Sequence, residues 1–280
     1  MIVKYNKRKN NNGITLINYS NERYTNAQKI NTKSALKIGG FKKVISYSPI
    51  DIDSEFFNNN KKMFSLQRGG GYWLWKAYII KKTLSEMEEG AYLFYCDSGS
   101  HFVHSTDGLI HSFDKVFDIM PFEIQTFEKH WTKRDCFQLM GCDEPKIIES
   151  KQICSGFSLW KKTAFTMKFV EEWLNYSKDE RVVTDIENVL GLPNYDGFVE
   201  HRHDQSIFSL LLKKYEIKVY RDPSQHGNDF VDLYPDSKYP QVLISTRQMN
   251  ITFFEYIKKS LRPYLSLRVR NFYLEHVKKF

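Results

Sequence analysis

The chain has 280 residues, with 41 Lys and Arg against 33 Asp and Glu for a net charge of +8; 41% of the residues are hydrophobic, 26% charged and 15% aromatic. This balance excludes wholesale disorder, a collagen repeat and a disulfide-dense miniprotein. The length suits one large α/β domain or two small ones around a sizeable core. No apolar run approaches ~18 residues, so no membrane-spanning helix is expected.

The basic start MIVKYNKRKNNNG lacks the apolar stretch of a secretory signal, which points to a cytoplasmic protein. Cys96, Cys136, Cys142 and Cys154 form no C-x-x-C pair and read as free thiols of a reducing compartment. Residues 1–12 hold four basic and no acidic side chains, residues 251–280 hold seven basic against two acidic, and the rest carries 30 against 31. The excess charge therefore lies at the ends, which speaks against a nucleic-acid reader with a basic folded surface. A solvated tail and helix face, or contact with an anionic membrane surface, are the readings left for it.

In chain order, Ile14–Tyr19 reads as a buried strand after Gly13. A polar helix within 21–38 ends at Gly39-Gly40, and Val44–Tyr47 is a second strand closed by Ser48-Pro49. Asn58–Lys62 reads as a loop. Gly69-Gly70-Gly71 opens a helical pattern from Tyr72 to about Glu88, closed by Gly90. Ala91–Cys96 is an unbroken apolar run, as in a central strand buried on both faces. Lys115–Met120 and Ile153–Leu159 are further strands, a helix covers 161–176, another runs Gln205–Tyr215 from a start at Asp204, and Ile217–Tyr220 is a last strand. Alternating strands and helices predict an α/β protein with a mostly parallel central sheet flanked by helices. A boundary near Pro235–Pro240 divides a body, 1–240, from a basic extension, 241–280. The extension reads as two amphipathic helices packed on the body, with peripheral membrane contact as the alternative.

Four places carry candidate chemistry. The strand ending at Asp97-Ser98-Gly99 sets a carboxylate at the sheet rim, where ligands of α/β sheets bind. It suits a divalent cation on a diphosphate, or simply caps a turn. Arg68 to Lys76, RGGGYWLWK, places glycines before a helix, as phosphate cradles do. Arg68 and Lys76 would neutralise a diphosphate and Tyr72 or a Trp would stack on a base; the alternative is a flexible loop before a core helix. His201-Arg202-His203-Asp204-Gln205-Ser206 puts a carboxylate at a helix start, as a site or as a plain cap. Ser224–Asp229 is a turn-rich loop holding His226. Walker, G-x-S-x-G, H-E-x-x-H and clean G-x-G-x-x-G patterns are absent from the sequence, so P-loop enzymes, serine hydrolases, zincins and nicotinamide enzymes are not favoured.

Taken in order, the strand ending Asn18-Tyr19, the Arg68–Lys76 segment, Tyr95–Gly99, Gln152–Phe157 and His201–Ser206 resemble nucleotide-sugar glycosyltransferases of the GT-A (Rossmann-like) fold. The likeness covers about residues 13–230 and extends to capsule, lipopolysaccharide and viral-glycan enzymes. The Asn- and Lys-rich chain is most similar to the capsid-glycan glycosyltransferases of large algal viruses, xylosyltransferases acting on fucose among them.

That resemblance implies a nucleotide-sugar donor, a UDP-sugar and first of all UDP-xylose, and a glycan hydroxyl as acceptor. It implies that Asn18 and Tyr19 line the nucleoside pocket, Lys76 contacts the donor with Arg68 near its phosphates, and Ser155 and Gly156 line the transferred sugar. Asp97 would match the first Asp of a D-x-D motif and bind manganese or magnesium together with His226. Asp204, with Gln205 beside the anomeric carbon, would be the base of an inverting reaction, or would orient the donor sugar in a retaining one. Gly99 stands where the second Asp belongs. Either His226 and the diphosphate then hold the metal, or metal dependence is weak. The rival readings are a non-catalytic carbohydrate-binding protein and, less favoured, a nucleic-acid-binding one.

Overall fold

The computed structural model describes residues 13–113 and 116–246. The basic ends and the expected helical pair of residues 250–280 lie outside the described residues.

The central sheet has six strands: β1 (Thr15–Tyr19), β2 (Lys43–Tyr47), β3 (Tyr92–Cys96), β5 (Ile119–Phe127), β6 (Lys151–Lys161) and β7 (Tyr220–Arg221), in the order β2-β1-β3-β6-β5-β7. β1 runs parallel to β2 and β3, and β5 parallel to β7; β6 alone is reversed, antiparallel to β3 and β5. Helices cover the sheet, so the expected Rossmann-like α/β fold with a mostly parallel sheet holds. A two-stranded ribbon of β4 (Ser100–Phe102) and β8 (Leu243–Ser245) ties the chain beyond Pro240 back to the segment after β3.

β3 explains the two-layer core. Leu93 and Tyr95 face one side with Ile17, Trp160 and the helices Leu74–Ser85, Ala164–Tyr176 and Asp204–Lys214. Phe94 and Cys96 face the other with Leu16, Phe41, Phe102 and Leu243. A strand buried on both faces needs the apolar run seen in its sequence. The helix Asp204–Lys214 is anchored by Ile207, Phe208, Leu210 and Leu211, all 0% exposed. Burial of each such side chain contributes roughly 1.5–3 kcal/mol, which fixes where the polar start of this helix must lie.

Several elements differ from the sequence expectation. Asn58–Lys62 is helical, split between Ser54–Asn59 and Lys61–Phe64, because Met63 and Phe64 reach the core and draw the polar run into helix. The helix expected from Tyr72 begins at Leu74 and stops at Ser85. The strand expected at 115–120 runs Ile119–Phe127; its first residue lies outside the described residues. β6 extends two residues past each end of the expected run, and the last strand shrinks to two residues. All four cysteines are free and buried.

Candidate active site

β1 and β3 are parallel neighbours, so their carboxyl ends, Tyr19 and Asp97, open on the same rim. Ser98 Oγ donates to the Tyr19 carbonyl at 2.6 Å and locks the two ends together. The reversed β6 crosses beside them: Cys96 pairs with Phe157, and Asp97 N–H donates to the Gly156 carbonyl at 2.7 Å. A Cβ at Gly156 would crowd this corner, 3.1 Å from Asp97 Oδ2 and 3.4 Å from Cys154 Sγ.

The glycine run forms a left-handed turn. Gly69, Gly70, Gly71, Tyr72 and Trp73 have φ of 60°, 62°, 93°, 49° and 59°. Three glycines take this conformation readily, whereas Tyr72 and Trp73 bear a cost of ~1–2 kcal/mol each. They are held there by contacts: Tyr72 donates to Asp185 Oδ2 at 2.9 Å, and the Trp73 ring stacks on His203 at 5.4 Å and 14°. The turn was expected as a phosphate cradle or a flexible loop; what it does locally is start the Leu74–Ser85 helix so that Trp75 and Lys76 face the sheet rim. Trp75 stacks on Tyr19 at 3.8 Å and 16°. Burial, with the Asp51 charge adding to it, pushes the Tyr19 phenol up to about 12, so it stays neutral.

Lys76 joins the site. It is 2% exposed, and its Nζ lies 2.7 Å from Asp204 Oδ2 and 3.5 Å from Asp97 Oδ1. It also approaches Ser155 Oγ at 3.2 Å, and Ser155 Oγ donates to Asp204 Oδ2 at 2.8 Å. Burial alone would depress the Lys76 ammonium; the Asp204 and Asp97 carboxylates outweigh it and raise it above its ordinary value. Tyr95 donates to Asp97 Oδ1 at 2.5 Å, its phenol held well above the usual range by burial and by that carboxylate.

Asp204 is the first residue of its helix, and the residue before it makes the turn. His203 has φ 53° and ψ −118°, a conformation rare outside glycine and costing ~1–3 kcal/mol. Its Nδ1 lies 2.9 Å from the Val183 carbonyl, and the Trp73 ring covers it. His201 is likewise bound within the protein, Nε2 lying 2.8 Å from the Val182 carbonyl. Burial lowers both imidazoles, which support the turn from beneath. Gln205 accepts the Ser155 N–H at 3.3 Å and donates to Gln152 at 2.7 Å.

These groups line one cleft of about 830 Å³, large enough for a nucleotide-sized ligand. Tyr19, Arg68, Lys76, Asp97, Ser155, Gly156, Asp204 and Gln205 share it. Asn18 does not: it is fully buried and its amide donates to Asn31 and Thr32 of the helix Thr25–Ser34. Tyr72 is not among the lining residues; its hydroxyl is held by Asp185. Arg68 is paired with Asp185 at 3.0 Å and Glu200 at 3.5 Å. The sequence reading missed Arg23 and Ser98 of the lining and Asp185, which pairs with Arg68 of the lining. Ser98 lay inside the Asp97-Ser98-Gly99 segment but was given no role of its own; Arg23 lay in a segment read only as helix, and Asp185 in a stretch of the sequence with no periodicity.

Of the two expected metal ligands, Asp97 lines the cleft and His226 does not. Asp97 offers one carboxylate where Gly99 withholds a second, and its Oδ1 is already engaged by Tyr95 and Lys76. His226 is exposed and opens on a neighbouring cavity. Among the described residues no group of three or more His, Cys, Asp or Glu is placed to hold a metal ion. The residues present do not fit a protein-held divalent cation. Lys76 already places a positive charge between the two acids.

No family model matches the chain, and no curated protein does. Among solved structures, mouse xyloside xylosyltransferase 1 in its apo form is similar at 11% identity, covering 85% of this chain and 99% of that one, with a TM-score of 0.47. Among the described residues, no helix is long and apolar enough to cross a membrane.

Proposed function

We propose that the protein is a glycosyltransferase that moves a sugar from a nucleotide-sugar donor to a glycan hydroxyl. The observation that carries this reading is Lys76 holding Asp97 and Asp204 at the base of one cleft, 107 positions apart in sequence, with stacked aromatics and guanidinium groups along the same walls. Tyr19 and Trp75 offer faces for a base or ribose. Arg23, Arg68 and Arg202 line the cleft as cations for a diphosphate. The donor we assign is a UDP-sugar, UDP-xylose first, on the resemblance to the algal-virus enzymes.

In the transfer, the acceptor oxygen bonds to the anomeric carbon as the bond to the diphosphate oxygen breaks. The bonding pair leaves with the nucleoside diphosphate, and the hydroxyl proton passes to Asp204. Lys76 and Ser155 both engage Asp204 Oδ2, which leaves Oδ1 to take that proton. Asp204 is only 4% exposed, and a buried carboxylate needs a paired cation, which Lys76 supplies. Transfer with inversion follows from this assignment.

The test is release of nucleoside diphosphate from a panel of UDP-, GDP- and TDP-sugars, with and without manganese, for the native protein and Asp204→Asn. We expect release from at least one donor, and a loss of ~10²–10⁴-fold in the variant with donor binding retained. Silence across the whole panel removes the reading, and full turnover by Asp204→Asn removes the base.

A further inference from the structure

A second cavity of about 520 Å³ adjoins the cleft, and Cys154, Phe157, Arg202 and Ser245 line both. Its far wall is the end of β5, where Glu123, Ile124, Gln125 and Thr126 all line the space. A regular strand turns alternate side chains to opposite faces. Four consecutive lining residues are accounted for by the break in register against β6 between Glu123 and Phe127, a bulge-type irregularity that re-aims side chains.

The lining is polar and partly unmet. Thr126 Oγ1 and Arg221 Nε are buried with no hydrogen-bond partner among the described residues, and Arg221 is 2% exposed. Tyr234 donates to Glu123 Oε2 at 2.5 Å and receives Gln125 Nε2 at 3.1 Å. Phe157, Phe230 and Tyr234 add ring surfaces. Carboxylate, amide and hydroxyl groups beside aromatic faces suit the hydroxyls and C–H faces of a sugar ring. The charges offset, Glu123 and Asp222 against Arg202 and Arg221. The amino nitrogens of Arg221 are given to the Tyr239 and Gly227 carbonyls, and Arg202 lies on the Trp131 ring at 3.7 Å.

We propose that this second cavity receives the acceptor, the hydroxyl-bearing end of an uncharged glycan, and that Glu123 and Tyr234 hold it. The assignment rests on the glycosyltransferase reading above. It places the incoming hydroxyl beyond Cys154 and Phe157, on the side from which it meets the cleft that Asp204 lines.

The experiment measures donor consumption by the full-length protein against a panel of neutral methyl glycosides and the matching methyl uronides, for the native protein, Glu123→Gln and Tyr234→Phe. We expect a neutral glycoside to accelerate consumption over plain hydrolysis. In both variants its half-saturating concentration should rise at least tenfold, while that of the donor moves less than twofold. A glycoside constant within twofold of native in both variants overturns the acceptor assignment, as does hydrolysis that no glycoside accelerates. A uronide preferred over its neutral partner overturns the uncharged class. Absence of any donor hydrolysis is a different result and strikes the underlying reading instead.

Discussion

Lys76 Nζ sits 2.7 Å from Asp204 Oδ2 and 3.5 Å from Asp97 Oδ1, and almost none of its side chain reaches solvent. Removing the cation leaves two carboxylates side by side without compensation. Losing one partner of a buried pair costs about 3–5 kcal/mol. Lys76→Met should therefore lower the urea midpoint clearly and abolish turnover. A variant as stable as the native chain would mean that the ion pair does not exist in solution.

The two acids should not be equivalent. Asp204 is 4% exposed and carries the shorter contact, whereas the Asp97 side chain keeps 44% of its surface open and the longer one. Asp204→Asn should thus cost more turnover than Asp97→Asn, by at least tenfold in kcat. The comparison is made on the same donor at saturation, and the reverse order would move the base to Asp97.

Gly156→Ala tests the width of the site without touching a charge. The new methyl would lie 3.1 Å from Asp97 Oδ2, tighter than an ordinary contact, so Asp97, with 44% of its side chain open, must shift by a few tenths of an ångström. Stability should change by about 1 kcal/mol or less. Turnover should fall, by less than the ~10²-fold that a full 1 Å misplacement costs. Native kcat in this variant would show that the Asp97 position is not critical.

Chelation gives an independent reading of the cation. With Lys76 between the carboxylates and no second acid at position 99, EDTA should reduce donor hydrolysis less than threefold. A loss of a hundredfold, restored by manganese, would assign the site to a metal after all.

Acid should destabilise the fold through its buried imidazoles. Burial lowers His101 to about 4, against about 6.5 for an unfolded histidine. The unfolded chain therefore binds more protons between those values, and stability present above pH 6.5 is lost as the pH falls toward 4. From His101 alone the loss between pH 6.5 and 5 is about 2 kcal/mol. His201 and His203 act in the same direction. Urea midpoints at pH 7 and pH 5 measure this, and equal midpoints would contradict it.

Much of the site can be read in the primary structure because its parts announce themselves locally. An apolar run stopping at Asp97 marks a strand end at a sheet rim. Three glycines before Trp73 and Trp75 mark a turn that ordinary residues avoid. Asp204 before an apolar helical stripe marks a helix start. Each signal comes from a short-range preference of backbone or burial.

What joins them has no local signature. The reversal of β6 brings Ser155 and Gly156 against Asp97, and strand direction depends on the whole order of the sheet. The placement of His226 in a neighbouring cavity, and of Asn18 beneath a helix, follows from packing between elements far apart in the chain. Periodicity and composition were enough for the fold class, and local motifs for the candidate acids. That a lysine side chain stands between those acids comes from packing alone, because a buried charge is tolerated only where distant segments deliver its partners to the same few ångströms.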